Sequence, residues 1–223
     1  LMTFYDSGAG ISVKGPSGSD YIDFLLYSDG KRWASNTISF SFPFSKDGTA
    51  FFSSLYRDQS DPNMWDWENS SLYALSVSAQ QATRLAFQEW SNVANINFVE
   101  VSEIGTNVGD IRIAHTNEYK NGVTQKDLGS LGFAFRPMYD DAVDGDIWLA
   151  EWLSDNWEKG YSDNYLTVLH EIGHAIGIGH PRNLNSKVFN DLNYTTYSVM
   201  SYNDDPFNEG QVFYDLGYSD YIN

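Results

Sequence analysis

The sequence predicts an α+β fold (α/β-type), in which a twisted mixed sheet of about five strands is covered by one long backing helix and one shorter helix. Two observations lead to this prediction. Several short segments alternate polar and apolar residues, which is typical of strands, and one long segment repeats apolar residues every three or four positions, which is typical of a helix. After residue 180 no long periodic segment follows, which predicts a small irregular C-terminal lobe.

The composition fits a single folded domain of 223 residues, with a sheet and helix lobe over about 1–180 and a small lobe over about 181–223. Thirteen Lys and Arg against thirty Asp and Glu give a formal net charge of −17. We therefore expect no nucleic-acid partner and no membrane partner, because both present anionic surfaces. A monomer is expected. The chain has no cysteine, so a metal site must use His, carboxylate or Tyr ligands.

The first elements follow in chain order. The first 30 residues predict an irregular entry segment, and residues 37–44 alternate apolar residues with Ser or Pro, which indicates a strand. Residues 58–71 are polar and rich in turn formers, so they predict a surface loop. Residues 76–94 predict the long backing helix, with an apolar face at Val77, Ala82, Leu85, Ala86, Phe87, Trp90 and Val93.

Four more strands are predicted downstream. Residues 97–101 and 110–114 alternate in polarity and are separated by glycines. Residues 132–135 form a short strand that ends before Pro137, and because proline cannot donate to a ladder we expect this strand at a sheet edge. Residues 147–149 complete the sheet.

A second helix is predicted for residues 165–176. Asp163 and Asn164 are both plausible N-caps, because their side-chain oxygens can accept from the first free backbone N–H groups. Gly177 is the predicted stop, because glycine tolerates the positive φ that ends many helices.

Three of the four histidines lie within eleven residues and predict a metal site. His170 and His174 are four residues apart, so one helix face can offer both imidazoles to a single ion. A bend at Gly177 brings His180 round to complete the set. Three histidines with one open position are typical of a catalytic zinc rather than a structural one.

Glu171 follows the first of these histidines directly and is the predicted general base. It would accept a proton as a zinc-bound water attacks a polarised carbonyl, and then pass it to the leaving amine. One alternative is a zinc-binding but catalytically inactive interaction module of the same fold. A second alternative, a glycan-binding or glycan-cleaving protein, would need carboxylate pairs rather than a histidine ligand set.

The pattern HExxHxxGxxH from His170 to His180, followed by the segment Ser198-Val199-Met200-Ser201-Tyr202, resembles the metzincin zinc endopeptidases. Pro181 after the third histidine, with Met200-Ser201-Tyr202, is similar to the serralysins within that group. The resemblance implies the metzincin fold, a Zn²⁺ cofactor, and endopeptidase activity on extended protein or peptide substrates. It also implies a secreted, extracellular enzyme, with an export signal that is not in this chain.

The resemblance further implies roles for individual residues. Met200 would form a turn beneath the three imidazoles. Tyr202 would ligate zinc in the resting enzyme and hydrogen-bond the oxyanion once substrate binds. Substrate would lie in a cleft between the two lobes and pair with an edge strand, for which the candidate residues are Gly132, Phe133, Ala134 and Phe135.

The chain also departs from the serralysin pattern. It contains no glycine-rich calcium-binding repeats and ends 21 residues after Tyr202, where the family's catalytic lobe has a further helix. A Ca²⁺ site remains an open alternative at an acidic loop, with a solvated loop as the other interpretation; its carboxylates are Asp140, Asp141, Asp144 and Asp146. A pro-segment or a proteinaceous inhibitor is an open alternative as a further partner. His115 is predicted not to be a ligand.

Overall fold

A computed structural model describes residues 8–44, 72–104, 107–120, 123–124, 129–139, 142–158, 162–182 and 184–203. The predicted surface loop at 58–71 lies outside these residues. The described part of the chain contains a six-stranded mixed sheet packed against helices, which confirms the α+β prediction. No helix within it has the length and hydropathy needed to cross a bilayer.

The strands and helices are numbered in chain order. The strands are β1 (Ile11–Val13), β2 (Lys31–Trp33), β3 (Thr37–Ser41), β4 (Leu72–Tyr73), β5 (Asn97–Glu100), β6 (Ile111–Thr116), β7 (Glu118–Lys120), β8 (Val123–Thr124), β9 (Gly132–Ala134) and β10 (Ile147–Ala150). The helices are α1 (Asp20–Asp23), α2 (Val77–Val93), α3 (Asp163–Ala175) and α4 (Ser186–Leu192).

The main sheet has the strand order β5-β3-β6-β10-β9, and β4 also pairs with β6. β3, β5, β6 and β10 are parallel, whereas β9 runs antiparallel to β10. In the described residues β9 pairs only with β10 and so forms an edge of the sheet, as the sequence predicts.

Helix α2 packs on the sheet and begins at the N-cap Ser76, whose hydroxyl accepts from the Ala79 N–H. The face that it buries differs from the predicted one. Val77, Leu85 and Val93 are exposed, and the buried face consists of Ala79, Ala82, Thr83, Ala86 and Phe87. Small residues dominate this face, because they let the helix backbone approach the sheet closely.

Aromatic side chains join α2 to the sheet. The Phe87 ring stacks on Phe40 of β3 at a centroid distance of 4.2 Å and contacts Phe98 of β5 at 4.6 Å. Offset ring pairs of this kind stabilise a core beyond the area that they bury. Helix α2 is thereby fixed on the sheet, and it forms the support for α3.

Three local predictions are corrected. β3 ends at Ser41 rather than at residue 44, because Pro43 has no N–H to donate and Phe44 has a φ of +64°. β6 extends to Thr116, because both β4 and β10 pair with its last residues. The first 30 residues are not irregular throughout, since they contain β1 and α1.

The N-cap of α3 is also corrected. The Ser162 hydroxyl accepts from the Tyr165 N–H (3.2 Å), whereas Asp163 and Asn164 lie inside the helix. The Asn164 amide instead donates to the Ser154 carbonyl (2.5 Å) and ties the preceding loop to the helix. The cap thus falls one residue earlier than predicted.

Candidate metal centre and active site

The C-terminal end of α3 positions the histidines. Gly177 follows the helix with a φ of +101°, which confirms it as the helix stop. The Ile178 N–H donates to the Gly173 carbonyl and the Gly177 N–H to the His174 carbonyl, both at 2.9 Å, which is the Schellman motif. The chain therefore reverses direction within two residues and returns His180 toward the helix.

The imidazoles of His170, His174 and His180 converge. Nε2 of His180 lies 3.2 Å from Nε2 of His170 and 3.0 Å from Nε2 of His174. A tetrahedral zinc with Zn–N distances of about 2.0–2.1 Å places two ligand nitrogens about 3.3 Å apart. Both distances from His180 are close to this spacing, and the ligand nitrogens of all three rings lie within 4.8 Å of one another, so the group could hold one zinc ion.

Backbone carbonyls orient two of the rings. Nδ1 of His170 lies 2.7 Å from the Val199 carbonyl oxygen, and Nδ1 of His174 lies 2.8 Å from the Ile178 carbonyl oxygen. A carbonyl can only accept, so each Nδ1 carries the proton and each Nε2 keeps its lone pair for the shared point. The segment before Met200 and the bend after α3 thus set the tautomers.

Burial keeps the three imidazoles neutral. It lowers the pKa of His170 and of His180 to about 4, and the pKa of His174 falls well below its usual range. Repulsion from the neighbouring imidazoles adds to the shift at His170 and His174. At neutral pH all three rings are therefore neutral, the state that metal coordination needs, and the carbonyl partners of His170 and His174 leave Nε2 of those two rings unprotonated.

The Tyr202 hydroxyl reaches the point where the rings converge. It lies 3.3 Å from Nε2 of His170 and makes a shorter contact with Nε2 of His180. A phenol oxygen in this place can ligate a metal weakly or donate to an oxygen of a substrate. The structure therefore brings Tyr202 together with the three histidines, as the resemblance implies.

Glu171 is buried beside the histidines, between α3 and β9. Its exposed fraction is 2%, and its Oε2 has no hydrogen-bond partner among the residues that the structure describes. Burial raises the pKa of this carboxyl group to about 8. A carboxyl group placed in a dry site beside a metal-ligand set is suited to proton transfer, because a nearby cation favours its charged form.

Met200 packs against α3 at a residue that has no side chain. A Cβ on Gly173 would lie 2.4 Å from the Met200 sulfur and 3.1 Å from Cζ2 of Trp90. Met200 is 1% exposed. The glycine within the histidine motif therefore makes room for the methionine, and Met200 lies directly against the helix that carries His170 and His174.

This arrangement agrees with the comparison to known protein families. The family described as Matrixin (Peptidase_M10) matches residues 63–214, which is 152 of the 223 residues. The chain belongs to the matrixin peptidases. Metzincins use zinc, and the three-histidine group of this matrixin domain is the part of the described structure that could bind it.

Curated relatives place this matrixin chain near the serralysins. It is 31% identical to a serralysin of Photorhabdus laumondii over 70% of this chain and 33% of the relative. It is 26% identical to serralysin A of Dickeya chrysanthemi over 91% of this chain and 41% of the relative. An interstitial collagenase of Sus scrofa is 29% identical over 62% of this chain and 31% of the relative. The serralysin-like metzincin resemblance is thereby confirmed.

The chain spans about a third to two fifths of the length of these relatives.

The predicted substrate strand lies beside Glu171. β9 comprises Gly132–Ala134, so the strand ends one residue before Phe135. The backbone of Phe135 still bonds to the next segment, because its N–H donates to the Asp146 carbonyl at 2.9 Å. A Cβ on Gly132 would lie 3.4 Å from Cγ of Glu171. The start of β9 thus approaches the carboxylate that the sequence selects as the base.

Two carboxylates of the acidic loop are buried and bonded within the protein. Oδ2 of Asp144 accepts from the N–H groups of Met138 (3.0 Å) and Tyr139 (2.9 Å), and Oδ1 of Asp146 accepts from the Arg112 N–H (3.0 Å). They therefore stabilise the loop between β9 and β10. Asp140 and Asp141 lie outside the described residues, and a calcium site here stays a prediction.

His115 lies apart from the metal-ligand group. It belongs to β6, and burial lowers its pKa from the usual value. Its ring centroid is 6.2 Å from that of Trp157. That His115 is not a ligand stays a prediction.

Sequence analysis missed several residues that support the site. Nε1 of Trp33 donates to the Ala175 carbonyl (2.8 Å) and Nε1 of Trp90 to the Leu169 carbonyl (2.9 Å), so two indoles tie α3 to β2 and α2. The Tyr27 hydroxyl also lies 3.4 Å from Nδ1 of His174. These three residues lie 79 to 147 positions before the α3 residues that they touch, and no local pattern marks the contacts.

Proposed function

We propose that this chain is the catalytic domain of a secreted zinc endopeptidase that cleaves extended protein or peptide substrates. One observation supports this most: the Nε2 atoms of His170, His174 and His180 converge with the Tyr202 hydroxyl beside the buried carboxylate of Glu171. The proposal treats residues 1–223 as one domain that acts as a monomer outside the cell.

Each residue of the proposed site has a separate role in the reaction. His170, His174 and His180 would hold Zn²⁺, with Tyr202 as a further ligand in the resting state. When bound, zinc supplies Lewis acidity, which polarises a carbonyl and makes water more acidic. Glu171 would take a proton from the attacking water as the new C–O bond forms the tetrahedral intermediate, and would then give a proton to the amine as the peptide C–N bond breaks.

Tyr202 would act in the same step as a donor. Its hydroxyl is close enough to the metal ligands to reach the carbonyl oxygen of a peptide held there, and a donor aimed at that oxygen stabilises the negative charge of the tetrahedral intermediate. Met200 would act indirectly by supporting α3.

The edge strand would hold the substrate. An extended peptide can add to the edge of a sheet as a further strand through main-chain hydrogen bonds, a mode of binding that accepts many sequences. Gly132 adjoins Glu171, so a peptide bond paired near the start of β9 would lie close to the proposed base. Residues Gly132, Phe133, Ala134 and Phe135 are therefore proposed as the substrate strand.

The test is casein cleavage by the full chain with zinc, compared with the Glu171→Gln and Glu171→Ala variants. Loss of general acid–base catalysis lowers the rate by about 10²–10⁴-fold, while zinc content should stay near one ion per chain. Glu151→Gln, which changes an exposed carboxylate, is the control and should keep full activity.

Two results would contradict the proposal. Activity that survives Glu171→Ala would reject the assigned base. A wild-type chain that binds one zinc ion but cleaves no casein or peptide would instead favour the inactive interaction module.

A further inference from the structure

The segment before β2 is bonded to the bend that carries His180. The Gly179 N–H donates to the Leu25 carbonyl and the Arg182 N–H to the Phe24 carbonyl, both at 2.7 Å. Leu26 and Ile178 form an antiparallel bridge between the same two segments. The third histidine therefore lies in a loop held on one side by α3 and on the other by residues 24–26.

Tyr27 lies against this loop and against a second histidine. A Cβ on Gly179 would lie 3.3 Å from the Tyr27 ring, so the ring packs directly on the residue before His180. The Tyr27 hydroxyl is 3.4 Å from Nδ1 of His174, whose proton already goes to the Ile178 carbonyl at 2.8 Å. The hydroxyl contact is thus weak, and the ring provides the main contact of Tyr27 with the metal site.

Arg136 and Asp29 fix the Tyr27 ring from its other side. The Arg136 guanidinium carbon lies 4.2 Å from the centre of the Tyr27 ring. Two guanidinium nitrogens donate to the two carboxylate oxygens of Asp29 at 2.9 and 2.8 Å. A planar guanidinium that stacks on a ring and binds a carboxylate with two bonds has one preferred orientation, which lysine cannot reproduce.

From this geometry we infer that the Asp29–Arg136–Tyr27 stack positions the zinc-binding loop. The three residues act on His174 and His180 through packing and touch neither the metal point nor the reacting atoms, so they are positioning residues. The inference rests on the proposed function to the extent that the histidines bind zinc. Arg136 also follows β9 closely, so the stack joins the proposed substrate strand to the loop of the third ligand.

The chain contains a matched control for this stack. Arg84 of α2 donates through two nitrogens to the two carboxylate oxygens of Glu100 at 2.6 and 2.7 Å, and its guanidinium carbon lies 5.0 Å from the centre of the Phe42 ring. The chemistry is that of the Asp29–Arg136–Tyr27 stack. Arg84 lies on α2, Glu100 on β5 and Phe42 just after β3, and none of these three residues contacts the histidines.

The experiment measures the rate of zinc transfer from the full zinc-loaded chain to a chromophoric chelator. Arg136→Lys and Tyr27→Leu should each accelerate zinc release by about 10–100-fold, the usual range for lost support of a metal ligand. Tyr27→Phe keeps the ring and should change release by less than about 3-fold. Arg84→Lys should leave the rate within about 2-fold of wild type.

Urea unfolding of the zinc-free proteins distinguishes a general loss of stability from a specific effect on zinc release. Both Arg→Lys variants keep the charge and lose the two-bond geometry, so each should lower the midpoint only slightly, with the larger loss at Arg136, whose pair with Asp29 is 19% and 32% exposed against 40% and 39% for Arg84 and Glu100. If Tyr27→Leu does not fold, the milder variant Asp29→Asn takes its place. Asp29→Asn should also accelerate zinc release.

Equal release rates for Arg136→Lys and Arg84→Lys would overturn the inference, and so would a Tyr27→Phe variant as fast as Tyr27→Leu. These outcomes leave the proposed function intact. Conversely, a wild-type chain that binds zinc but cleaves nothing would reject the proposed function, while a faster release from Arg136→Lys would still support the stack's role.

Discussion

Met200 contributes to the site by occupying space next to α3 that a side chain at residue 173 would otherwise fill. The methionine sulfur lies where a Cβ on Gly173 would be, and Trp90 closes the space from the side of α2. Glycine costs helix stability relative to alanine, by about 1 kcal/mol in a helix interior. A glycine in the middle of α3 is therefore explained by close packing rather than by helix propensity.

Gly173→Ala should destabilise the protein despite its better helix propensity. The added methyl group overlaps the Met200 sulfur, and overpacking of this kind costs about 1–3 kcal/mol. The free energy of unfolding in urea measures this loss. In a Met200→Ala background the added cost should largely disappear, and Gly15→Ala, with no atom within 4 Å of the new Cβ, should have little effect. Additive losses in the double variant would contradict the packing explanation.

Tyr202→Phe tests whether the phenol hydroxyl acts in the reaction. Removal of one donor to an oxyanion lowers kcat by about 10²–10³-fold, while KM should change little because the ring remains. Steady-state peptide cleavage measures both constants. Zinc content serves as the control and should stay near that of wild type, because the three histidines remain. An unchanged kcat would reject a role for the hydroxyl in the chemical step.

At the scale of the element, the bend at the end of α3 determines whether His180 lies close enough to His170 and His174 to bind the same metal ion. The Schellman motif fixes the path from Gly173 to Ile178, and the hydrogen bond from His174 Nδ1 to the Ile178 carbonyl is made within the same turn. The bend therefore sets both the place of His180 and the tautomer of His174. Helix termination and metal binding depend on one local structure.

Gly177→Ala should weaken zinc binding as well as the fold. A φ of +101° is unfavourable for alanine and costs about 1–2 kcal/mol, and relief of that strain would move His180. Gly18→Ala is the matched control, because Gly18 has a φ of +83° with nothing near its Cβ. Both variants should lose stability in urea, and only Gly177→Ala should lose zinc affinity in a chelator competition. Equal zinc affinity in the two would contradict this account.

The regular elements were largely predictable from the sequence, because their polarity patterns are strong and local. Pro137 predicts that β9 lies at a sheet edge, and Gly177 predicts where α3 stops. The structure agrees with both predictions. The buried face of α2 was not predictable in detail. Its exposed Val77 and Val93 follow the same spacing as its buried residues, and only packing on the sheet determines which side of a mixed helix is covered.

At the scale of the whole molecule, burial favours the uncharged forms of the histidines and of Glu171. The pKa values of all four histidines are lowered, chiefly by burial, and that of Glu171 is raised to about 8 for the same reason. His170, Glu171 and His174 are only 2%, 2% and 9% exposed, so little water reaches these groups. The zinc-free fold should therefore be sensitive to acid.

The free energy of unfolding of the zinc-free protein should fall as the pH drops from about 6.5 to about 4. Each histidine has a folded pKa below its unfolded value of about 6.5, so the unfolded chain binds more protons in this range. The raised pKa of Glu171 acts in the opposite direction and offsets roughly one histidine. Urea midpoints at pH 7 and pH 5 measure the loss.

Glu171→Gln provides the control for this pH dependence. It removes the opposing carboxyl group, so its urea midpoint should fall more steeply than that of wild type between pH 7 and pH 5. A midpoint that is unchanged over this range in both proteins would show that the histidines are not buried in their neutral form.

The residues that can carry the chemistry are recognisable without a structure, because the spacing of His170, His174 and His180, the adjacent Glu171 and the helix stop at Gly177 are all local features. The residues that support them become visible only in the folded chain. Tyr27, Asp29 and Arg136 belong to segments more than 100 residues apart and meet only when β9 and the segment before β2 pack at the end of α3. Contacts between distant segments depend on how whole surfaces pack, which no short pattern in the chain encodes.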